Sequence, residues 1–236
     1  MSTGVYAAIT PQGVALLDAR HGRGRWRFLD PVGARLWLEI LGGAAPADAV
    51  DTLTAHWQRQ GADAGQVRTD LTALAADLES TGLLLPVDRS ARRAPPCVRF
   101  APEARAGMLQ RLAGHAGLGA ALVLLHFLPV RVAFTAARTV TRFPGRTATV
   151  RDAEAALAAV RRAARWWPGR VACLEEALAA HFAAALTGHR VTWAIGARFA
   201  PHGAHAWIEA AGCVIGQDET DRVWPYMPAL KVERPH

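Results

Sequence analysis

The chain has 236 residues with 51% hydrophobic and 20% charged side chains and a formal net charge of +7, which is a globular composition. It excludes disorder, collagen and small disulfide-stapled domains. Three cysteines are too few for a disulfide framework and favour a reducing compartment, so we predict a cytoplasmic location. No signal-peptide pattern opens the chain. The longest apolar stretch, residues 118–130, is too short to span a bilayer, so no stable membrane insertion is expected.

The first section, residues 1–87, is predicted to form a small domain of three strands and three helices. Turn sequences at residues 11–13 and 21–24 separate three β-type segments, which indicates an antiparallel meander. Asp30 precedes a proline and marks the start of the first helix, and two further apolar periodicities follow before Gly82 ends the third. This order of three strands and three helices is similar to that of a winged-helix domain. This section is slightly acidic and lacks a basic recognition helix, which argues against a DNA-binding role.

The middle of the chain carries the positive charge. Residues 91–170 hold 14 basic and 3 acidic side chains, and Lys231 is the only lysine among the 27 basic residues of the sequence. Abundant arginine and alanine point to a GC-rich genome rather than to selection for phosphate binding, so no nucleic-acid partner is predicted. The section instead predicts a basic surface that docks an acidic protein, with three arginines facing outward. These are Arg161, Arg162 and Arg165.

Linker and helix signals divide this middle section. Residues 88–100 are proline-rich and polar and predict a linker in which Cys97 is inert. Residues 118–128 are apolar all round, which predicts a buried helix, with contact to a membrane surface as the alternative. Thr149 and Asp152 form a capping pair that opens another helix.

The third section carries a nucleophile pattern. Cys173 opens a helical run, where the positive end of the helix dipole favours thiolate. Two predicted strands follow, with His205 on the second, and a third ends near Asp218. A cysteine on a helix, a histidine on a following strand and a third group on the next strand are the order of a papain-like or transglutaminase-like site. We therefore predict a catalytic cysteine–histidine pair.

Two sets of residues carry a family resemblance. In the first section they are the segments 16–18, 29–34 and 36–37 and the closing Gly82-Leu83-Leu84, which resemble the RiPP recognition element, named for the peptide chaperone of pyrroloquinoline quinone synthesis. In the third section they are Cys173-Leu174, the segment 195–197 and the run 205–209. These resemble the leader peptidase of lasso peptide biosynthesis, a transglutaminase-fold cysteine protease often fused to a recognition element.

The resemblance implies an α+β protein with a peptide-recognition domain at residues 1–87 and a protease domain at 101–236. The first domain would bind the leader of a lasso precursor as an added strand. The second would cleave the leader from the core before macrolactam formation, with a macrolactam synthetase as partner. A non-catalytic scaffold and an acyltransferase that uses the same Cys–His site remain alternatives.

Two adjacent residues are candidates for the third catalytic position. In the resembled family an aspartate follows the histidine by twelve residues, and that position is Gln217 here. Neighbours on a strand face opposite ways, so Asp218 would need a bulge or a bend to reach His205. A glutamine could orient the imidazole but would stabilise its charged form less. We predict Asp218, with Gln217 as the alternative and Glu219 and Asp221 next in line.

No cofactor or metal is expected. A zinc site could be drawn from His202, His205, Cys173 and Cys213, but no CxxC or HExxH frame supports it, and Cys213 is predicted to be structural.

Overall fold

The computed structural model describes residues 4–84, 97–100, 106–217 and 226–233. The fold is α+β, as the sequence predicts. The elements of the first part are β1 (Val5–Thr10), β2 (Gly13–Asp18), β3 (Arg25–Leu29), α1 (Pro31–Leu41), α2 (Pro46–Gln58) and α3 (Ala64–Ser80). The remaining helices are α4 (Met108–Phe127), α5 (Val130–Val140), α6 (Val150–Ala164) and α7 (Cys173–Leu186). The remaining strands are β4 (Cys97–Phe100), β5 (Arg146–Thr147), β6 (His189–Arg190), β7 (Thr192–Phe199), β8 (His202–Ala210), β9 (Cys213–Gln217) and β10 (Met227–Val232).

The first part is the predicted unit of three strands and three helices. Its sheet is antiparallel in the order β1-β2-β3. The Asp30 side chain accepts a hydrogen bond from the backbone N–H of Gly33 at 2.8 Å, so the predicted N-cap is present. At the other end, the Trp37 indole donates to the carbonyl of Leu83 at 3.0 Å, which fastens the end of the unit to its first helix.

Both faces of this small sheet are covered. Strand alternation sends Val14 and Leu16 to one face, where they pack with Trp37 and Leu78 of the helices. The intervening residues of β1 and β2 point to the opposite face and join the main core of the chain. Tyr6, for example, makes an edge contact with Phe134 of α5 at a centroid distance of 5.7 Å. The first unit is therefore packed directly against the second.

The second unit is a five-stranded sheet covered by helices. Its strand order is β10-β7-β8-β9-β4, with β4 parallel to β9 and the other described pairs antiparallel. Helices α4, α6 and α7 pack together on one side of the sheet. Gly117 lets α4 approach α7 closely, since a Cβ there would lie 2.6 Å from the carbonyl oxygen of Ala179. This packing holds the start of α7 against β8.

A disulfide bond corrects the prediction for Cys97 and confirms the structural role predicted for Cys213. Cys97 lies on β4 rather than in a linker, and it is bonded to Cys213 on β9 with a Cα–Cα distance of 4.5 Å. Parallel pairing of β4 with β9 places the two residues side by side. Cys97 is therefore not inert, and the cysteine count no longer supports a reducing compartment. The residues 88–96 of the predicted linker lie outside the described part of the chain.

Helix α4 is longer and less buried than predicted. It runs over 20 residues, and only one side of it lies in the core. By length and composition it is the one helix of the described residues that meets the criteria for a membrane span, a test that core helices of soluble proteins also pass.

Candidate active site

Cys173 occupies the first position of α7, as predicted. The residue before it, Ala172, is extended, and its backbone N–H donates to the Glu175 side chain at 3.1 Å, which closes the first turn. The thiol is partly buried and is the free cysteine of the structure. It faces β8, where the backbone N–H of Ala206 interacts with the sulfur.

The electrostatics of this thiol differ from the prediction. Burial raises the pKa of Cys173 above its ordinary value, and this effect outweighs the backbone N–H groups of Ala206 and Leu174, which lower it. The carboxylate of Glu175 raises the pKa further. The helix terminus alone therefore does not make a thiolate here. The raised pKa favours the neutral thiol over the thiolate.

His205, the predicted base, lies on the neighbouring strand β8 and lines the same cavity as Cys173. Its Nε2 is 3.1 Å from Oε1 of Gln217 on β9. Because an amide oxygen only accepts, Nε2 carries the proton and Nδ1 is the basic nitrogen. The rings of Trp207 and Tyr226 lie beside the imidazole at centroid distances of 6.1 and 5.1 Å. The amide contact and the two rings restrict the orientation of the imidazole.

A bulge at Gly216 explains why Gln217 faces His205. Glu209 pairs with Val214, and this register, if continued regularly, would put residue 218 opposite His205. On the other side of β9, however, the pairing with β4 steps from Ile215 to Gln217 and skips Gly216. The step shifts the alternation by one residue and turns the Gln217 side chain toward the histidine.

The bulge requires glycine. Gly216 has a φ of +70°, and a Cβ there would lie 2.1 Å from a methyl carbon of Leu157. The predicted third residue, Asp218, lies outside the described residues, as do Glu219 and Asp221. Asp218 therefore stays a prediction, whereas the alternative, Gln217, makes the contact with the imidazole.

Cys173, His205 and Gln217 line one small cavity of about 100 Å³. Trp207, which lines the same cavity, is only 2% exposed and belongs to the core. The cavity has room for a few atoms of a bound group beside the thiol.

Arg161 is the residue of the site that sequence reasoning missed. It was predicted to face solvent with Arg162 and Arg165, but only the latter two are exposed. The Arg161 guanidinium instead donates to Oε1 of Glu176 at 3.0 and 2.8 Å and to the carbonyl of Gly216 at 2.6 Å. Its position four residues after the buried Leu157 on α6 was the available signal, because residues so spaced share a helix face.

The four residues of the zinc alternative do not form one site. Cys213 is bonded to Cys97, and the ring of His202 stacks on Phe28 at a centroid distance of 4.7 Å. Across the described ranges, no three histidine, cysteine or acidic side chains are grouped in a way that would hold a metal.

Comparisons with known proteins agree with this geometry. Residues 119–230 match the family model described as Transglutaminase-like superfamily. Residues 13–84 match the model Coenzyme PQQ synthesis protein D (PqqD). The chain joins a PqqD-like domain to a transglutaminase-like domain. This is the predicted combination, and it supports the resemblance to the fused proteins of lasso peptide biosynthesis.

One solved structure shares sequence with a third of the chain. It is described as "TbiB1 in Complex with the TbiA(beta) Leader Peptide", is 29% identical, and covers 35% of this chain and 91% of that one with a TM-score of 0.29. The comparison with curated proteins gave no match.

Proposed function

We propose that this protein is a cysteine peptidase that removes the leader from a lasso peptide precursor. The observation that carries the proposal is the cavity lined by Cys173 and by His205, whose Nε2 is bonded to Gln217, in a transglutaminase-like domain. The PqqD-like domain on the same chain supplies the reason to expect a leader as substrate.

The proposed chemistry gives each of these side chains one role. His205 Nδ1 takes the proton of the neutral Cys173 thiol as the sulfur attacks the carbonyl carbon of the scissile bond. The imidazolium then protonates the leaving amine, so the peptide bond breaks and a thioester forms. Water, deprotonated by the same imidazole, hydrolyses the thioester and frees the thiol. Gln217 keeps the ring in place throughout but adds no charge to stabilise the imidazolium.

Leader binding is proposed for the β3 edge of the PqqD-like sheet. The strand order leaves β1 and β3 at the two edges, and β10 lies against β1. Residues 25–28 of β3 are at least partly exposed, and Arg27 pairs with Asp77 of α3 beside that edge. An extended peptide could add to β3 through backbone hydrogen bonds, with α3 contributing side-chain contacts.

The experiment is to mix the full chain with a synthetic precursor peptide and weigh the products. We expect separate leader and core masses with the wild-type protein and none with Cys173→Ala, which should still bind the precursor in calorimetry. His205→Ala should lose cleavage to a similar extent, because a nucleophile and its base act as a unit.

Other products would identify the alternatives. Cleavage by Cys173→Ala would remove that residue from the mechanism. Binding of the precursor by wild-type protein without any cleavage would indicate a scaffold. A leader or core mass increased by an added amine would indicate acyl transfer through the same thioester.

A further inference from the structure

The outward side of α4 is apolar along the whole helix. Five of its large side chains are 53% to 81% exposed, and they are Met108, Leu109, Leu112, Val123 and Phe127. Small exposed residues fill the centre of this side, and they are Ala116, Gly119 and Ala120. We call these eight residues the α4 face. Its opposite side packs in the core through residues such as Leu118 and Leu122, so the helix is fixed in the fold.

The apolar surface continues beyond α4. A groove of about 540 Å³ runs between α4, α5 and the end of α7. Its outer border is formed by Phe143 and Leu186, which are 60% and 61% exposed. Exposed apolar patches of this extent mark a surface that meets another apolar body.

The charge around this surface has one sign. Residues 104–151 contain no aspartate or glutamate but seven arginines. Among them Arg111, Arg131 and Arg142 are exposed. The other exposed polar groups on the outward side of α4 are two histidines. Nδ1 of His115 and of His126 lies 2.9 and 3.1 Å from a carbonyl of the same helix, so each ring is partly engaged already.

These properties distinguish between three possible binding partners of the α4 face: a second copy of the chain, another protein and a lipid surface. A second copy of the chain would bring arginines against arginines. A protein partner is held by about one hydrogen bond per 100–200 Å² of interface, and the α4 face offers almost no groups to make them. A lipid surface needs no such bonds in its apolar layer, and anionic headgroups attract the surrounding arginines.

We propose that the α4 face docks on an anionic lipid surface. The helix, about 30 Å long at ~1.5 Å per residue, would lie in the plane of the interface rather than cross it, because its other side stays in the core. Phe127 and Met108 at its two ends enter the acyl boundary, and the arginines meet the headgroups.

Vesicle flotation tests this proposal with the full chain. We expect the protein to float with vesicles of phosphatidylcholine mixed with phosphatidylglycerol and far less with phosphatidylcholine alone. The double variant Val123→Asp, Phe127→Asp should weaken partitioning by about tenfold or more, the size expected from loss of one buried large apolar side chain. Leu38→Asp, on α1 and also exposed, is the matched control and should partition like the wild type.

Three results would overturn the proposal. The first is no flotation with either vesicle, and the second is equal flotation of the double variant and the wild type. The third is a wild-type dimer in light scattering that the double variant dissociates, which would make the α4 face a contact between copies.

A separate set of contacts gives Arg161 a role that rests on the proposed function. Its guanidinium sits between α7, which carries Cys173, and β9, which carries Gln217. It bonds Glu176, one turn after Cys173, and the carbonyl of Gly216, directly before Gln217. All of these residues line the catalytic cavity.

We infer that Arg161 is a positioning residue for His205. Gly216 is the bulge that turns Gln217 toward the imidazole, and Arg161 fixes the carbonyl of that bulge. The same guanidinium fixes α7 through Glu176, so one side chain sets the distance between the thiol and its base. Arg161→Met would free the bulge and leave the Glu176 carboxylate without this partner.

Kinetics of variants separate positioning from folding. Arg161→Met should lower kcat by about 10- to 100-fold with little change in KM, since misplacing a reacting group by around 1 Å can cost ~10². Arg161→Lys, which can keep one of the bonds, should recover part of the loss. Arg162→Met, exposed on the same helix, is the control and should behave as wild type.

A second measurement keeps this inference independent of peptidase activity. The pH dependence of Cys173 alkylation reports on the thiol and its base even if no precursor is cleaved, and it should shift in Arg161→Met but not in Arg162→Met. A lowered melting temperature with unchanged kcat and an unchanged alkylation profile would show that Arg161 is only structural. Absence of cleavage by the wild-type protein would instead count against the proposed function.

Discussion

Gln217 contacts the imidazole of His205, the proposed base, through a neutral amide. Its oxygen can select the tautomer of His205 but cannot balance a positive charge as a carboxylate would. We expect Gln217→Ala to lower kcat/KM by about 10- to 100-fold, because an unrestrained ring spends less time facing the thiol. Asp218→Asn should then have a mild effect. Steady-state rates with the precursor measure both.

The reverse ranking would support the aspartate. A carboxylate that stabilises imidazolium is worth up to about 10⁴ in a serine triad, so a loss of that order in Asp218→Asn with a mild Gln217→Ala would assign the role to Asp218. Two mild effects would place the third group elsewhere, with Glu219 and Asp221 as the next candidates.

The raised pKa of Cys173 predicts how its reactivity depends on pH. An acid whose pKa is raised holds its proton to higher pH, so the thiolate should appear only above the ordinary range of a cysteine. We expect the rate of alkylation of Cys173 by iodoacetamide to keep rising at pH values above the midpoint of the pH profile measured for the same protein unfolded in urea. A native midpoint below the urea midpoint would show a pre-formed thiolate–imidazolium pair.

His181 predicts how stability depends on pH. It is fully buried, and burial lowers its pKa below the ordinary value, so the folded protein holds it neutral. The unfolded chain takes up the proton below about pH 6.5, so the free energy of unfolding should fall as pH drops through that value, by up to ~1.4 kcal/mol per pH unit. Urea denaturation at several values between about pH 7.5 and about pH 5, on both sides of the ordinary histidine pKa, measures the slope. His181→Phe should have a shallower slope than the wild type, and equal slopes would assign the loss to other groups.

At the scale of elements, the disulfide bond ties β4 to β9. Cys97 and Cys213 are 116 residues apart, so the bond closes a long loop of the unfolded chain. Reduction, or Cys97→Ser, should therefore lower the free energy of unfolding by about 2–5 kcal/mol, measured by urea denaturation with and without dithiothreitol. The Cys173→Ala variant keeps the disulfide bond, so dithiothreitol should lower its free energy of unfolding as it does that of the wild type. Three titratable thiols in denatured, unreduced protein would contradict the bond.

The elements differ in how far the sequence predicts them. The Asp30 cap, the Thr149–Asp152 capping pair and the placement of Cys173 and His205 follow from local patterns, and the structure has all of them. The strand β4, the disulfide and the bulge at Gly216 depend on which distant segments meet, and four residues of β4 carry no periodicity to reveal it. The inward turn of Arg161 likewise needs a partner from another element.

On the scale of the whole molecule, the PqqD-like sheet and the transglutaminase-like domain share one core. The sequence predicts two domains and a linker but gives no sign that they pack together. Alternation in β1 and β2 produces two apolar faces, and only the fold shows that the second face meets α5 and β7. Gly13 illustrates the closeness, since a Cβ there would lie 2.7 Å from the ring of Phe199 on β7.

Because the two domains share one core, the distance between the proposed leader-binding edge and Cys173 is fixed. The ring of Phe28, on β3, stacks on the ring of His202, on β8, so the proposed leader edge contacts the strand that carries His205. A peptide anchored on β3 would then present to Cys173 only the bond that lies a fixed length of chain beyond its anchor. The distance from the anchored leader to Cys173 would then select the bond that is cleaved. The residues around the scissile bond would contribute little to specificity.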